Sequence, residues 1–398
     1  MKVAFINSSN LPVPATLGGA VENMLTHFID ENEEQKRLEV TVFEQYEPEA
    51  ERLSHKYKQT KCVFFKSGLF DMVYYYAYRI LNRLTLRKKY NYGRTEFIRW
   101  CSRHINKSDY DYVVVEGGWW QVQHLSTAIS NKIILHIHYD ALNDTLSYSK
   151  PVMEACHKII AVSDFCKRRI EKVHVENKGS DFVQVLRNVI DIHHFCDTGM
   201  EQSRKKIMEK YNIPPGKIII TYCGRLQPFK GVLQLIRAVV AMKNPQVFLM
   251  IIGASYFKNS MNTEYTEQVE REIKNVKGGY MMTGYVSQDE LPDYIRASYL
   301  QVVPSIYNEV AGNVIIEALA CGTPVVASNR GGIPEYADEK ACILVEHDDK
   351  FVDSLSNAIA RMISDPALYD EKKRHARRVA LQYGKKAYYD NFISLLNS

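Results

Sequence analysis

Short, nearly all-apolar stretches recur along this chain, most of them followed by a helix-length amphipathic segment. No other feature constrains the fold as tightly. A strand that is apolar at every position needs cover on both faces, which a parallel sheet layered with helices supplies. The first series is "KVAFIN" (2–7), "LEVTVFE" (38–44), "YDYVVVEGG" (110–118), "NKIILHIH" (131–138), "KIIAVSD" (158–164) and "DFVQVLRN" (181–188). A second series opens with a helix, "SRKKIMEKYNI", read as capped by Ser203. It continues with "KIIITYCG" (217–224), "VFLMIIG" (247–253), "GYMMTG" (279–284), "YLQVVPS" (299–305), "TPVVAS" (323–328) and "ACILVE" (341–346). The reading is α/β, with two doubly wound domains, 1–190 and 191–375, joined near 189–202 where polarity rises. The helix expected in 376–398 crosses back to the first domain. At 398 residues the chain is long enough for two cores.

Two such domains facing each other would set the C-terminal ends of both sheets around a central cleft, where open α/β sheets bind ligands. A dinucleotide-dependent dehydrogenase shares the rhythm. However, neither first strand–helix turn carries Gly-x-Gly-x-x-Gly, and Gly18-Gly19 comes late in a long loop. No apolar run is long enough to span a bilayer, and "MKVAFINSSN" enters a strand without a signal-peptide core. Eight scattered cysteines form no Cys-x-x-Cys pair, so the expectation is a reducing cytoplasm, with neither disulfide framework nor zinc site.

Chemistry concentrates in the second series. "YCGRLQPFKGV" places Arg225 and Lys230 just past a strand, between Gly224 and Gly231. Two cations so placed can clamp a diphosphate and hold the charge it gains on leaving. In "IYNEVAGNVIIEALACGTPVV", Gly312-Asn313 opens a helix whose free N–H groups suit an anion. Glu317 stands in that helix amid apolar residues, where a carboxylate is expensive unless polar groups meet it. An ionised carboxylate only accepts, so Glu317 fits a ribose diol, and Glu309 fits hydroxyls on a sugar beyond the diphosphate. The bland alternatives are solvated surface cations, an ion-paired helix acid and an ordinary loop acid. The combination is the specific signal.

"CGRLQPFKG", "GYVSQDELPDYIRASYLQVVPS" and "NEVAGNVIIEALACGTPVVASNRGGIPEY" resemble the donor-binding half of the family 4 retaining glycosyltransferases (glycosyl transferases group 1). "LGGAVENM", "AVSDFCKRRI" and "RNVIDIHHF" extend the likeness into the first half, and Glu309 and Glu317 fall at the family's Glu-x7-Glu spacing. The resemblance implies a GT-B fold of two Rossmann-like domains and a nucleotide-diphosphate sugar as donor, with no cofactor and no metal. No Asp-x-Asp occurs in the candidate segments to hold one. It implies that Arg225 and Lys230 bind the diphosphate, Glu317 the ribose and Glu309 the moving sugar. Backbone N–H groups of Ala311, Gly312, Asn313 and Val314 would hold sugar and distal phosphate, and the base would lie against Gly284, Tyr285 and Val286. From the first domain, Gly18 and Gly19 would approach the phosphates. The chain departs from the family at Val310-Ala311 in place of Pro-Phe, at Val189 in place of Gly, and in lacking a C-terminal Trp.

In "LHIHYD", His136 and His138 are read as pointing to opposite sides of a strand, with only one facing the cleft. His138, nearer the strand's end, is assigned to catalysis beside Glu309, Arg225 and Lys230, and His136 and Asp140 stand in reserve. Similar transferases carry a His there that meets the sugar or the phosphate.

The chain's net charge is +5, yet residues 56–107 hold thirteen Lys/Arg against Asp71 and Glu96, so the remainder is net acidic. Within 70–92, Phe70, Val73, Tyr74, Ala77, Leu81 and Leu84 recur at helical spacing, and Arg79, Arg83 and Arg87 form a row. This suggests docking on an anionic membrane surface, against the plainer reading of a domain helix with a solvated basic side. No nucleic-acid module accompanies the charge. The expected function is therefore transfer of a sugar, UDP-sugars favoured, to a glycan or lipid-linked acceptor in cell-surface polysaccharide synthesis. The expected place is the cytoplasm, peripheral on the membrane's inner face. A GT-B nucleotide-sugar epimerase and a non-catalytic sugar-nucleotide-binding coat protein are the alternatives, with a pyridoxal-dependent phosphorylase disfavoured by chain length.

Overall fold

The computed structural model describes residues 1–7, 11–68, 73, 77, 80, 95–106, 109–125, 127–254 and 263–398. The chain divides into two units, Met1–Asn188 with Lys385–Ser398, and Val189–Gly384.

Unit 1 holds a seven-stranded sheet in the order β3-β2-β1-β4-β5-β6-β7. The strands are β1 (Lys2–Asn7), β2 (Glu39–Gln45), β3 (Thr60–Phe65), β4 (Tyr112–Glu116), β5 (Ile133–Ile137), β6 (Lys158–Ala161) and β7 (Val183–Val185). Every pairing is parallel. Strand β3 is absent from the sequence reading because "TKCVFF" is an edge strand, only partly buried and with Lys61 as its second residue in the basic stretch. The helix Lys385–Asn397 belongs to this unit. Its Phe392 ring lies 4.8 Å from that of Phe28, Tyr389 donates to Asn32 Oδ1 at 2.6 Å, and Lys158 Nζ donates to the Leu395 carbonyl at 2.6 Å.

Unit 2 holds six parallel strands in the order β10-β9-β8-β11-β12-β13. They are β8 (Ile218–Cys223), β9 (Val247–Ile252), β10 (Tyr280–Gly284), β11 (Leu300–Val303), β12 (Val325–Ser328) and β13 (Cys342–Val345). Strand β9 shows why its sequence is apolar throughout. Val247, Leu249 and Ile251 enter one core cluster with the helix Val232–Met242, while Phe248, Met250 and Ile252 enter the other with the helix Asn313–Ala320. Alternate side chains face opposite sides, and both sides are covered. Chain order reverses between β1 and β4 in unit 1 and between β8 and β11 in unit 2. Those reversals open crevices at the strands' C-terminal ends.

One expectation is corrected. Ser203 is not a cap: the helix runs Met200–Lys210 from Gly199, and Ser203, buried in its first turns, donates to Asp293 at 2.7 Å. Asp293 also pairs with Lys206 and Arg296, so the serine serves a packed charge network instead. In the basic segment, Val73, Ala77 and Ile80 are helical, but all three are exposed, Val73 by 64% and Ile80 by 61%. Phe70, Tyr74, Leu81, Leu84 and the arginine row lie outside the described residues. Among the described residues, no helix is long and apolar enough to cross a membrane. All eight cysteines are free thiols.

Candidate functional site

The candidate residues of unit 2 gather at its sheet reversal, on the loops leaving β8 and β11. Strand β8 ends at Cys223, and Gly224 turns the chain. Tyr222, buried beneath, donates its hydroxyl to the Arg225 carbonyl at 2.8 Å, while the Arg225 side chain is exposed. A short 3-10 turn, Pro228–Lys230, leads to Gly231 at φ 74°, which starts the helix Val232–Met242. A Cβ on Gly231 would stand 1.8 Å from the Pro304 carbonyl oxygen. Only glycine tolerates both that conformation and that approach, so Gly231 is what lets the two loops touch.

The touch brings Lys230 onto Glu309. Lys230 Nζ lies 2.9 Å from Glu309 Oε1, with the side chains 19% and 12% exposed. Ser305 donates its hydroxyl to the same carboxylate oxygen. The Glu309 carbonyl accepts from Gly332 N–H at 2.6 Å, so backbone and side chain are both pinned. Lys230 also stands 5.7 Å from the Tyr307 ring centre, and that exposed ring packs at 71° on Phe229. Ser305 escaped the sequence reading; its signal was position, four residues before the acid in the same strand-end loop.

The helix Asn313–Ala320 begins at Gly312 in this loop cluster. Gln301 Nε2 donates to the Val314 carbonyl at 2.7 Å, fixing the first turn to β11. Glu317, one turn on, is half-buried and lies near Cys223, whose thiol pKa is raised by burial and, to a lesser degree, by Glu317. Burial pushes the Glu317 carboxyl up to about 7. No described residue hydrogen-bonds it, so its proton depends on what it meets. After β10, Gly284 takes φ 69° and Gly253 N–H donates to its carbonyl at 2.9 Å, leaving the Tyr285 ring 41% exposed and Val286 half-buried.

Unit 1 corrects the histidine reading. Residues two apart on a strand share a face. His136 and His138 therefore do not point to opposite sides; their rings are 4.1 Å apart. Both meet one carboxylate: His138 Nε2 lies 2.7 Å and His136 Nδ1 3.0 Å from Glu116 Oε2. Glu116 and His136 are register partners across β4 and β5, which puts them on one face, and His138 follows the last residue of β5. Burial alone would raise the Glu116 carboxyl, but the two imidazoles outweigh it and hold it down at about 2. Burial, with His136 beside it, lowers His138 to about 4 despite Glu116. A lone acid closing the apolar run "YVVVE" was the sequence signal for Glu116. Among the described residues, this trio is the one His/Cys/Asp/Glu group whose ligand atoms sit close enough for a metal. Asp140 is occupied by Arg169 at 2.8 Å. Gly18 and Gly19 take φ 83° and 107°, and Gly19 starts the helix Ala20–Gln35 with the buried Glu22 carboxylate where a Cβ would stand.

Residues 203–379 match the family described as Glycosyl transferases group 1. The chain carries a glycosyl transferases group 1 domain. That domain fills most of unit 2, and the fold is of GT-B type, two Rossmann-like units. Over 390 residues the transferase is 25% identical to "Putative glycosyltransferase YtcC" of Bacillus subtilis, covering 95% of this chain and 87% of that protein. It is 26% identical over 248 residues to the "Lipopolysaccharide 1,2-N-acetylglucosaminetransferase" of Salmonella typhimurium, covering 61% of this chain and 59% of that one. Its fold is like that of Anabaena HepE solved in complex with UDP, at TM-score 0.74 and 18% identity over 100% of both chains.

Proposed function

We propose that this transferase is a retaining enzyme that moves a sugar, from a UDP-sugar by preference, to a glycan or lipid-linked acceptor in cell-surface glycoconjugate synthesis. The observation that carries it is the Lys230–Glu309 pair set between Arg225 and the start of the Asn313–Ala320 helix. Cation, amide-rich helix tip and acceptor-only carboxylates are the three chemistries that a diphosphate joined to two sugars needs. The names of the Salmonella relative and the Anabaena complex support the acceptor class and the nucleotide.

In this reading Arg225, Lys230 and the N–H groups of Ala311–Val314 take the diphosphate, Glu317 the ribose, and the Gly284–Val286 turn the base. Glu309 takes the moving sugar, and His138, Gly18 and Gly19 are assigned to the sugar and phosphates. The acceptor hydroxyl attacks the anomeric carbon on the face from which the phosphate departs. One C–O bond forms, the anomeric C–O bond to the β-phosphate breaks, and the acceptor's proton passes to that phosphate. The transition state has oxocarbenium character. Arg225, Lys230 and the helix tip stabilise the growing phosphate charge, while Glu309 and His138 orient the ring. These residues supply that chemistry without a metal. The exposed Val73 and Ile80 within the basic stretch favour docking on anionic lipid, read out as salt-dependent partitioning onto anionic liposomes.

The test is a melting-temperature screen against UDP-, GDP-, ADP- and dTDP-sugars, followed by product analysis with the donor that shifts most. An α-linked product from an α-linked donor supports the reading. Donor turnover to an epimer without acceptor points to the epimerase, and binding without turnover across an acceptor panel points to the coat protein.

A further inference from the structure

One carboxylate oxygen beside two buried histidines leaves little freedom in where the proton of His138 sits. The ring of His138 turns Nε2 toward Glu116 Oε2 at 2.7 Å, and that of His136 turns Nδ1 toward the same atom at 3.0 Å. A lone pair on His138 Nε2 would face the lone pairs of an anion inside a nearly dry pocket, where Glu116 is 5% and His136 0% exposed. For His138 the contact is a hydrogen bond, so its Nε2 carries the hydrogen, whereas His136 Nδ1, though close, makes no such bond. The proton of a neutral His138 therefore sits on Nε2. With His138 neutral, its Nδ1 is left as an acceptor. That Nδ1 is buried and makes no hydrogen bond among the described residues.

We propose that Glu116 is a positioning residue that locks His138 with its proton on Nε2, so that Nδ1 is offered as an acceptor to a sugar hydroxyl and not as a donor to a phosphate. This rests on the reading above, which assigns His138 to the sugar or the phosphates without choosing. An acceptor nitrogen repels a phosphate oxygen and welcomes an O–H. The choice is made by Glu116 from the far side of the ring, much as carboxylates set the tautomer of histidines elsewhere. The lock is rigid because Glu116 and His136 are register partners on adjacent strands, and the Gly117 N–H donates to the His136 carbonyl at 2.8 Å.

The test uses the full chain labelled with ¹⁵N-histidine, with His138 signals assigned by their loss in His138→Gln. Long-range ¹H–¹⁵N spectra at neutral pH should show His138 neutral and protonated at Nε2. Glu116→Met fills the same space without an acceptor. It should leave His138 as a mixture of tautomers and weaken UDP-glucose binding roughly tenfold or more, the loss of one buried hydrogen bond. UDP, which has the phosphates and no sugar, should bind within about twofold of wild type. Glu116→Gln keeps an acceptor oxygen and should restore most of both readouts. Protonation of wild-type His138 at Nδ1, a charged His138, or a folded Glu116→Met that keeps pure Nε2–H would overturn the lock. Equal loss of UDP and UDP-glucose in Glu116→Met would overturn the hydroxyl assignment. If Glu116→Met does not fold, the wild-type spectrum alone still decides the lock. If wild type binds neither UDP nor UDP-glucose, or His138→Gln transfers sugar at the wild-type rate, the functional reading fails while the spectrum still judges Glu116.

Discussion

Lys230 Nζ and Glu309 Oε1 stand 2.9 Å apart, joining the loop after β8 to the loop after β11. Each side chain is nearly buried and each limits where the other can go, so the pair arrives at the site already oriented. Preorganisation of this kind is what lets fixed charges stabilise a transition state. Removing one partner leaves the other desolvated and unpaired. Lys230→Met should therefore destabilise the ligand-free protein by about 1–3 kcal/mol. Adding Glu309→Gln should return a good part of that loss. Urea unfolding of the two single variants and the double variant measures the coupling, and strict additivity would show the pair to be incidental.

Glu317 should tie donor binding to pH. Burial places its carboxyl at about 7, and the ribose diol is best received by the ionised form. Affinity for UDP-glucose, whose own diphosphate does not titrate there, should fall by up to about tenfold per pH unit below 7. Calorimetric titration across that range checks it, and the slope should vanish in Glu317→Gln.

Glu44 carries a stability prediction in unit 1. It is buried at the end of β2, accepts from the Val13 N–H, and burial pushes its carboxyl up to about 9. For an acid with a raised folded pKa, the unfolded chain gives up its proton first. Stability is then full below the unfolded value and is lost as pH climbs to the folded one. Glu44→Gln should match wild type near pH 4.5 and gain on it by up to about 1.4 kcal/mol per pH unit toward pH 9, then level off. Thermal unfolding of both proteins at a series of pH values measures the gap; a gap flat with pH contradicts the burial argument.

Gly231→Ala tests the contact that assembles the site. The new Cβ meets the Pro304 carbonyl at 1.8 Å in a left-handed conformation. Strain at such a residue is about 1–3 kcal/mol before the clash is counted. The variant should lose stability by at least that much, and UDP-glucose should no longer raise its melting temperature. A variant as stable and responsive as wild type would show that the loops meet without needing glycine.

Much of this was legible in the sequence because parallel sheets write themselves as continuous apolar runs. β9 is the clearest case, since both of its faces are buried and every residue says so. Arg225, Lys230 and Glu309 were equally visible, as polar residues in loops where apolar patterning breaks off, and Glu317 as a lone carboxylate inside an apolar helix. What one sequence does not encode locally is partnership. Nothing in "VVVEGG" tells that Glu116 meets two histidines from the next strand, and the opposed placement of His136 and His138 failed against the two-residue period of that strand. Ser203 failed for a related reason: helix propensity suggests a cap, while Asp293, ninety residues away, decides what the hydroxyl does. Strand β3 was hidden by its edge position, where charge and apolar residues mix.

The central claim is that the loops after β8 and β11, with the helix tip at Gly312, grip a nucleotide-diphosphate sugar. Its most direct test is calorimetric titration of UDP-glucose into wild type, Lys230→Ala and Glu317→Ala, with circular dichroism showing all three folded. Saturable binding to wild type that disappears in both variants is the expected result. Undiminished binding in both folded variants would contradict the account.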